Sequence, residues 1–387
     1  MRLDILCTVA ASLLVASTAF PAERIIKVSD DASLHAALRK AQPGTRIQIA
    51  PGRYRPGVYV SGLTGTEAEP IVIEGADEKD PPLFEGGGEA LHFPRCAYLT
   101  LRNIAVRGQS SNGINIDDGG VRNKAAHHVV LEKIRVSDVG PRGNHDAIKL
   151  SGLDDFVVRG CTFEGWGGQA PDMVGCHRGL IEDCTYKGKP GVSSGVGPQI
   201  KGGSSQVTVR RCLFLDSCER GVNMGGSTGP TVFRPQGAKY EAKDVVVEGC
   251  TFVGCEAAVA YISCGAIVRY NTIYRPSRWA LRILKEDADA DIPDTSDGRF
   301  EHNLVIFRRA QANDLFNVGP HTRPETFRFA NNWWYCEDAP AVKPKLPVAE
   351  TGGVYGTDPQ LAAPERNDFR PLNAKAAAFG ALAWKPE

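Results

Sequence analysis

The sequence predicts an all-β protein whose chain winds into a single-stranded, right-handed parallel β-helix, a solenoid closed at its N-terminal end by a capping helix. Three observations predict this fold: a phrase that recurs at intervals of 21 to 38 residues, short alternating strands within each interval, and 42 glycines for the turns. A single unit of this kind cannot bury an apolar face alone, so the units stack on their neighbours.

The recurring phrase is an apolar-x-apolar run, two small or polar residues, then Cys or Asn before an apolar or aromatic segment. Because the Cys or Asn occupies the same place in each repeat, we expect a stacked, buried ladder of these side chains instead of disulfides or a zinc site. The predicted ladder consists of Cys161, Cys184, Cys212 and Cys250, extended by Asn103, Asn271 and Asn303.

The strands alternate apolar and polar residues, as in Ile114-Asn115-Ile116, and Gly, Asn, Asp and Ser separate them. Such alternation places apolar side chains inside and the residue between them outside. Near the N-terminus, Asp31–Ala41 has the spacing of an amphipathic helix, with Ser29 or Asp30 as its N-cap. We expect this helix to cover the open end of the core.

Residues 1–22 are predicted to be a secretory signal peptide, because Arg2 precedes the apolar stretch Ile5–Ala16 and small residues follow it. Residues 23–387 are predicted to form one domain whose chain becomes irregular from about residue 339. No later stretch is apolar enough to span a membrane. The 45 basic and 45 acidic residues give no bias toward nucleic acid. We therefore expect a secreted or periplasmic monomer.

Two parts of the sequence resemble the opening and the end of the alginate and chondroitin lyases of polysaccharide lyase family six. The opening carries QPG (42–44), IAPGRY (49–54), GT (65–66), PIVI (70–73) and YLTL (98–101). The end carries DP (358–359), DFR (368–370) and GA (380–381). These phrases describe the architecture of an exported β-helix protein.

In that family a lysine removes the proton alpha to a uronate carboxylate, an arginine one rung later aids the leaving group, and a calcium ion is usually bound. Residues 200–204, Ile-Lys-Gly-Gly-Ser, resemble the lysine rung, so the resemblance implies that Lys201 is the base. One rung later, Asn223-Met224-Gly225 stands where the family has Arg-His-Gly, and the nearest arginine is Arg220.

The residues that point outward from the best-aligned strands give a second indication of function. They are rich in Asn, Gln, Lys and Asp, which hold sugar hydroxyls and carboxylates, although an ordinary solvated face would also be polar. We interpret them as a carbohydrate-binding groove for an acidic polysaccharide. The predicted column comprises Asn115, Lys149, Asp172, Gln199, Asn223 and Arg282, with Asp117, Ser151 and Lys201 two residues further on and His145 in the turn before Lys149.

Either Lys149 or Lys201 is predicted to act as a base, because neighbouring cations in a groove would lower the pKa of the ammonium group. A plain salt bridge from Lys149 to Asp146 or Asp172 is the alternative. Arg220 and Arg282 are predicted to bind the uronate carboxylate, which acidifies the adjacent proton.

Asp117, Asp146 and Asp172 are hard oxygen ligands that three turns of the solenoid could bring together around Ca²⁺. The same carboxylates could serve a glycoside hydrolase or a uronate epimerase. The sequence thus favours a polysaccharide lyase that works by β-elimination, and it leaves open a hydrolase or epimerase, or a non-catalytic glycan-binding or structural solenoid.

Overall fold

The computed structural model describes residues 24–192, 195–216, 218–287 and 289–386. Nearly all of its strands are parallel and lie in three long sheets, with each strand paired to strands about one turn of the solenoid away. One turn, here called a rung, contributes a short strand to each sheet in the regular part of the solenoid. The chain is therefore an all-β parallel β-helix, as the sequence predicts. The predicted signal peptide lies outside the described residues.

The strands are numbered in chain order. Sheet one contains β1 (Arg24–Val28), β2 (Thr45–Ile49), β5 (Ile71–Gly75), β8 (Ala97–Arg102), β11 (Ala126–Glu132), β14 (Leu153–Arg159), β17 (His177–Glu182), β20 (Ser204–Arg210), β23 (Ala242–Lys243), β24 (Val246–Glu248), β27 (Ile267–Arg269), β30 (Arg299–Glu301), β33 (Arg328–Ala330) and β35 (Glu350–Thr351). Sheet two contains β3 (Arg53–Tyr54), β6 (Leu83–Glu85), β9 (Ala105–Arg107), β12 (Arg135–Val139), β15 (Thr162–Trp166), β18 (Thr185–Lys187), β21 (Leu213–Leu215), β25 (Thr251–Val253), β28 (Thr272–Tyr274), β31 (Leu304–Phe307), β34 (Trp333–Cys336) and β36 (Val354–Tyr355). Sheet three contains β4 (Val58–Tyr59), β7 (Leu91–Pro94), β10 (Ile114–Asp117), β13 (Ile148–Ser151), β16 (Asp172–Val174), β19 (Gln199–Lys201), β22 (Arg220–Gly225), β26 (Ala257–Ile262), β29 (Trp279–Ile283) and β32 (Phe316–Val318).

An α-helix, α1 (Asp31–Lys40), precedes the first full rung and packs against β1 and β2. Asp30 is its N-cap and accepts a hydrogen bond from the backbone N–H of Ser33 at 2.7 Å. The buried face contains Leu34, Ala37 and Leu38. Because this face joins the core of the first rungs, the helix closes the open end of the solenoid.

The turn from sheet one to sheet two has the same backbone shape in nine successive rungs. One residue after the sheet-one strand adopts the left-handed conformation, with φ between 51° and 62°. These residues are Asn103, Lys133, Gly160, Asp183, Arg211, Gly249, Tyr270, His302 and Asn331. Seven of the nine are not glycine, so stacking of the rungs outweighs the local backbone cost at each of them.

The next residue in each rung forms the ladder that the sequence predicts. Cys161, Cys184, Cys212 and Cys250 are buried free thiols, and the backbone N–H of Cys212 donates to Cys250 Sγ at 3.5 Å. Asn271 continues the column, because its side-chain Oδ1 accepts from the backbone N–H of Cys250 at 2.9 Å. In the next two rungs, Asn303 Oδ1 accepts from the backbone N–H of Asn271, and Asn332 Oδ1 accepts from the backbone N–H of Asn303.

The prediction that Asn103 belongs to this ladder is wrong. Asn103 occupies the preceding, left-handed position, where φ is 52°, and Ile104 takes the ladder position in that rung. Asparagine tolerates this conformation because its short amide bonds nearby backbone, and here Nδ2 donates to the carbonyls of Gly75 and Asp77 at 3.2 and 2.7 Å.

Aromatic rings stack in the core behind sheet two. Phe163, Tyr186, Phe214 and Phe252 follow one another in successive rungs, with ring centroids 5.0, 4.5 and 4.5 Å apart. Each ring buries a large apolar area and fixes the register of its neighbours.

The C-terminal segment adds little regular structure. After β36 the chain forms the antiparallel pair β37 (Leu361–Ala363) and β38 (Asp368–Pro371), and Phe369 and Ala376 pack with Trp333 outside sheet two. Short 3₁₀ helices lie at Pro230–Val232, Pro324–Thr326, Pro364–Arg366, Ala374–Ala378 and Ala381–Ala383. Across the described ranges, no helix has the length and apolar character needed to cross a bilayer.

Asn303→Ala should lower the free energy of unfolding by about 3 kcal/mol, because it leaves the buried backbone N–H of Asn271 without its acceptor and removes the side-chain hydrogen bonds to Asn271 and Asn332. Urea unfolding measures the change. Asn313→Ala is the control, because Asn313 is exposed and the substitution should cost under about 0.5 kcal/mol. Equal unfolding midpoints for Asn303→Ala and the wild type would contradict a role of the ladder in stability.

Candidate functional site

The strand register of sheet three places the predicted outward residues in one column. The column runs Tyr59, His92, Asn115, Lys149, Asp172, Gln199, Asn223, Ala260, Arg282 and Asn317. A second column two residues further on contains Asp117, Ser151, Val174 and Lys201. Ala260 separates Asn223 from Arg282, an interruption that the sequence prediction missed.

Lys149 and Lys201 meet at one carboxylate. Lys149 Nζ donates to Asp172 Oδ2, and Lys201 Nζ lies 3.0 Å from Asp172 Oδ1. The side chain of Asp172 is 0% exposed, whereas those of Lys149 and Lys201 are 23% and 12% exposed. We call these three residues the ionic cluster. Removing three charges from water is costly, so this cluster is a weak source of stability and a candidate for function.

A second carboxylate joins the cluster from the turn before β13. Asp146 Oδ2 lies 3.5 Å from Lys149 Nζ, and the Asp146 side chain is almost fully buried. Burial, followed by repulsion from Asp172, raises the pKa of Asp146 to about 6. Asp146 is therefore half protonated near pH 6 and mostly ionised at neutral pH.

The prediction that nearby cations lower the pKa of Lys149 is wrong. Burial lowers the pKa of its ammonium group, but Asp172 and Asp146 raise it by more, so the net pKa lies above the ordinary value. The immediate neighbours of Lys149 are carboxylates. The alternative hypothesis, that Lys149 forms salt bridges with Asp146 or Asp172, agrees with the observed contacts.

The middle of the column is covered, although the sequence predicts an open outer face. Asp172 and Asn223 are 0% and 1% exposed. Strand β22 ends at Gly225, where φ is 118°, and Gly226 packs on the side chains of Gln199 and Lys201. A Cβ at Gly226 would lie 2.6 Å from Gln199 Nε2, so the amide of Gln199 would have to move if a larger residue replaced this glycine.

The covering chain, residues 226–240, is here named the crossing segment. Arg234 anchors it to Asp118, four rungs earlier, through Nε at 2.5 Å and Nη2 at 3.1 Å. Just beyond the crossing segment, the Glu241 carboxylate accepts from the backbone N–H groups of Gly202 and Thr228 at 2.7 and 2.6 Å. Burial raises the pKa of Glu241 to about 7 despite these two donors.

The two arginines predicted to bind a carboxylate lie on the next rungs. Arg220 Nη1 is 2.6 Å from Glu286 Oε1. Arg282 donates to Asn317 Oδ1 at 2.9 Å, and its guanidinium lies 4.5 Å from the ring centroid of Trp279. Burial lowers the pKa of Arg282, and the nearby Arg220 contributes in the same direction.

Several buried polar atoms near the ionic cluster have no hydrogen-bond partner. They are Gln169 Oε1, Asn223 Oδ1 and Arg220 Nε. Gln169 precedes β16 and Arg220 opens β22, so these atoms flank β19 on both sides. Buried polar atoms in native proteins usually have hydrogen-bond partners, so these three atoms are available to bond a bound group.

The three carboxylates predicted to bind calcium do not converge. Asp146 and Asp172 contact ammonium groups, whereas Asp117 Oδ2 lies 2.6 Å from His92 Nε2. Within the described part of the chain, no three His, Cys, Asp or Glu side chains are arranged to hold a metal ion. These donors do not fit Ca²⁺, because lysine ammonium groups neutralise two of the three carboxylates. The calcium site stays a prediction.

His145 lies in the turn before β13, where its backbone carbonyl accepts from the N–H of Gly168 at 2.7 Å and its side chain packs beside Gly140. Asn115 lies between His92 and Lys149 in the main column. The structure thus brings Lys149, Gln199 and Lys201 together and leaves His145 at the border of the site.

Sequence reasoning missed a second polar group at the N-terminal end of the column. His92 Nδ1 lies 3.2 Å from Glu89 Oε2, and Tyr59 packs edge-on against the imidazole with ring centroids 5.0 Å apart. The signal was present, because Leu91-His92-Phe93 has the same alternation as Ile114-Asn115-Ile116 and predicts an outward histidine.

Residues 112–292 match the family described as the right handed beta helix region, which agrees with the predicted hand of the solenoid. No curated protein has a sequence that matches this chain significantly.

Three solved structures are similar to this fold at low sequence identity. A family-six polysaccharide lyase from Pseudopedobacter saltans has a TM-score of 0.52 and 12% identity, over 93% of this chain and 100% of its own. The A-module of mannuronan C-5 epimerase AlgE6 from Azotobacter vinelandii has a TM-score of 0.54 and 12% identity, over 84% and 93%. A family-136 lacto-N-biosidase from Eubacterium ramulus has a TM-score of 0.53 and 14% identity, over 86% and 68%. The likeness to family-six lyases agrees with the sequence resemblance in fold, and the fold alone does not choose a reaction.

Asp146→Asn should remove a pH dependence from stability. The native pKa of about 6 exceeds the ordinary 3.8, so the native state binds this proton more tightly than the unfolded chain does. The wild type should therefore lose unfolding free energy relative to the variant as the pH rises from about 4 to about 6. Urea unfolding at several pH values measures the difference.

Asp155→Asn is the control, because the ionisation of Asp155 should affect the free energy of unfolding in the opposite direction. A hydrogen bond from Arg178 lowers the pKa of Asp155, so its ionised form stabilises the native state. The contribution of Asp155 should be present above its ordinary pKa and disappear in acid. Parallel pH profiles for the wild type and Asp146→Asn would rule out the raised pKa.

Proposed function

We propose that this chain is an exported carbohydrate-active enzyme that cleaves a uronate-containing polysaccharide by β-elimination at the ionic cluster. The observation that carries the proposal is the meeting of Lys149 and Lys201 at the buried carboxylate of Asp172. The unpaired polar atoms around β19 support a ligand at the same place.

β-Elimination needs a base, an acid and a cation for the substrate carboxylate. The base removes the proton from the carbon alpha to the carboxylate, and the electron pair forms a carbon–carbon double bond. The bond between the β-carbon and the glycosidic oxygen breaks, and the acid protonates that oxygen as it leaves. Two lysines on one carboxylate can supply both proton transfers, provided that one is neutral while the other is charged.

We assign the base to Lys201 and the acid to Lys149. Lys149 contacts two carboxylates, which raise the pKa of its ammonium group and keep the proton on it. Lys201 forms an ion pair with one carboxylate, that of Asp172, and lies beside Gly226 of the crossing segment. The lysine with two carboxylate partners is therefore assigned as the acid, and the lysine with one as the base.

The substrate carboxylate would lie toward Arg220, whose unpaired Nε donor flanks β19, and the unpaired Oδ1 of Asn223 would accept a hydrogen bond from a sugar hydroxyl. Arg220 gives up or shares its contact with Glu286 when a uronate binds. A guanidinium at this carboxylate acidifies the neighbouring proton and stabilises the negative charge that develops there.

A hydrolase or epimerase that uses the aspartates has less support. Asp146 and Asp172 share the ammonium group of Lys149, so that cation lies between them. Two carboxyl groups that act on a glycosidic bond must lie on opposite sides of a sugar, with room for the ring between them. We therefore assign Asp146 and Asp172 the role of positioning the lysines.

Lys201→Ala should abolish the appearance of the ultraviolet-absorbing unsaturated uronate when the protein is incubated with alginate, pectate or chondroitin. The reason is that the variant lacks the group that accepts the proton. Lys187→Ala is the matched control, because Lys187 is an exposed lysine of sheet two with a 3.5 Å contact to Glu164. The control should keep wild-type activity.

The products separate the competing functions. New reducing ends without ultraviolet absorbance would identify a hydrolase, and binding without either signal would identify a glycan-binding protein. Full lyase activity in Lys201→Ala would exclude Lys201 as the base.

The rate should rise toward alkaline pH, because the free amine of Lys201 is the active form and an ammonium group must lose its proton. A carboxylate base would instead give a rate that rises through about pH 6, the pKa of Asp146, and then levels off. Measuring kcat/KM from pH 5 to pH 10 distinguishes the two, and a plateau from about pH 7 would contradict the lysine base.

A further inference from the structure

We infer that Tyr59, His92, Glu89 and Asp117 form a subsite for an uncharged sugar ring, so that the polysaccharide carries neutral sugars as well as uronates. This inference extends the proposed function to a further part of the same face. We call these four residues the aromatic subsite.

The aromatic subsite lies on the same column as the ionic cluster. Tyr59, His92, Asn115 and Lys149 are consecutive outward residues of sheet three, with direct pairing at each step. Three strand spacings separate Tyr59 from Lys149, which is about 14 Å along the face. One extended oligosaccharide can therefore contact both places.

Tyr59 is the most exposed aromatic group on this face, with 63% of its surface open to water. Its ring is held edge-on by His92 at 5.0 Å and an angle of 83°. An exposed tyrosine whose ring is fixed by a neighbour presents a flat apolar surface and a hydroxyl at low entropic cost. A pyranose ring has matching apolar and polar faces.

Two carboxylates fix the imidazole from different rungs. Asp117 Oδ2 lies 2.6 Å from His92 Nε2, and Glu89 Oε2 lies 3.2 Å from Nδ1. Burial raises the pKa of Glu89, against the lowering effects of His92 and Asn115. Arg95 borders the group but donates to the hydroxyl of Ser61 at 2.8 and 3.0 Å.

The two ends of the column therefore recognise different chemistry. Lys149, Lys201, Arg220 and Arg282 lie in the part of the face where the proposed function places a uronate carboxylate. Glu89 and Asp117 repel a carboxylate and accept hydrogen bonds from sugar hydroxyls. A polymer made of uronates alone would place a negative charge against this end, whereas a neutral sugar would not.

The test is a calorimetric titration with cellohexaose, an uncharged oligosaccharide. The wild type should bind it, and Tyr59→Ala should bind about tenfold more weakly, because the stacking surface is lost. Tyr59→Phe should retain most of the affinity. Tyr98→Ala is the control, since Tyr98 lies on sheet one and stacks on His128. Equal affinity in the wild type and Tyr59→Ala, or no binding to the wild type, would overturn the inference.

The same variants separate this inference from the proposed reaction. Tyr59→Ala should raise KM for gellan, in which neutral sugars separate the glucuronates, and leave KM for polygalacturonate unchanged. Cellohexaose binding should persist in Lys201→Ala. If Lys201→Ala still cleaves polysaccharide while Tyr59→Ala loses cellohexaose, the catalytic assignment fails and the aromatic subsite stands.

Discussion

The register between successive rungs is the constraint on which the rest of this structure depends. Each rung places one left-handed residue after its sheet-one strand and one ladder residue after that, and the two columns repeat without a shift from Asn103-Ile104 to Asn331-Asn332. A slip of one residue would turn every apolar side chain of a rung outward. The buried thiols, amides and stacked rings make such a slip costly, so residues far apart in sequence become neighbours on one face.

The fixed register also explains how the site can hold the charges of Lys149, Lys201 and Asp172 close together, although water would otherwise separate them. Asp172, Lys149 and Lys201 come from three adjacent strands, and their spacing is set by the backbone hydrogen bonds of the sheet. The crossing segment packs on Lys201 of the cluster through Gly226, and the contact between Arg234 and Asp118 holds the segment in place. The cluster is thus preorganised, which is the condition under which charged groups act most strongly on a bound ligand.

Parts of this arrangement were predictable from residue order, and parts were not. The repeat, the cysteine ladder, the capping helix and the order of Asn115, Lys149 and Asp172 follow from periodicity, because periodicity records which side chains share a face. The sequence pattern assigns Asn103 to the ladder, one residue away from its true left-handed position, because asparagine suits both positions. The partners of Lys149 could not be read from spacing, because the sign of a pKa shift depends on which groups are closest in space.

By itself the sequence determined the stacking of strands and the chemical character of the outward column, because both depend on local alternation repeated along the chain. Only the tertiary structure decided which column residues are covered, that Asp172 joins the two lysines, and that Tyr59 and His92 extend the face at its other end. The physical reason is that burial and charge pairing arise from contacts between rungs and from the crossing segment, whose path over Gln199 and Lys201 no local pattern encodes.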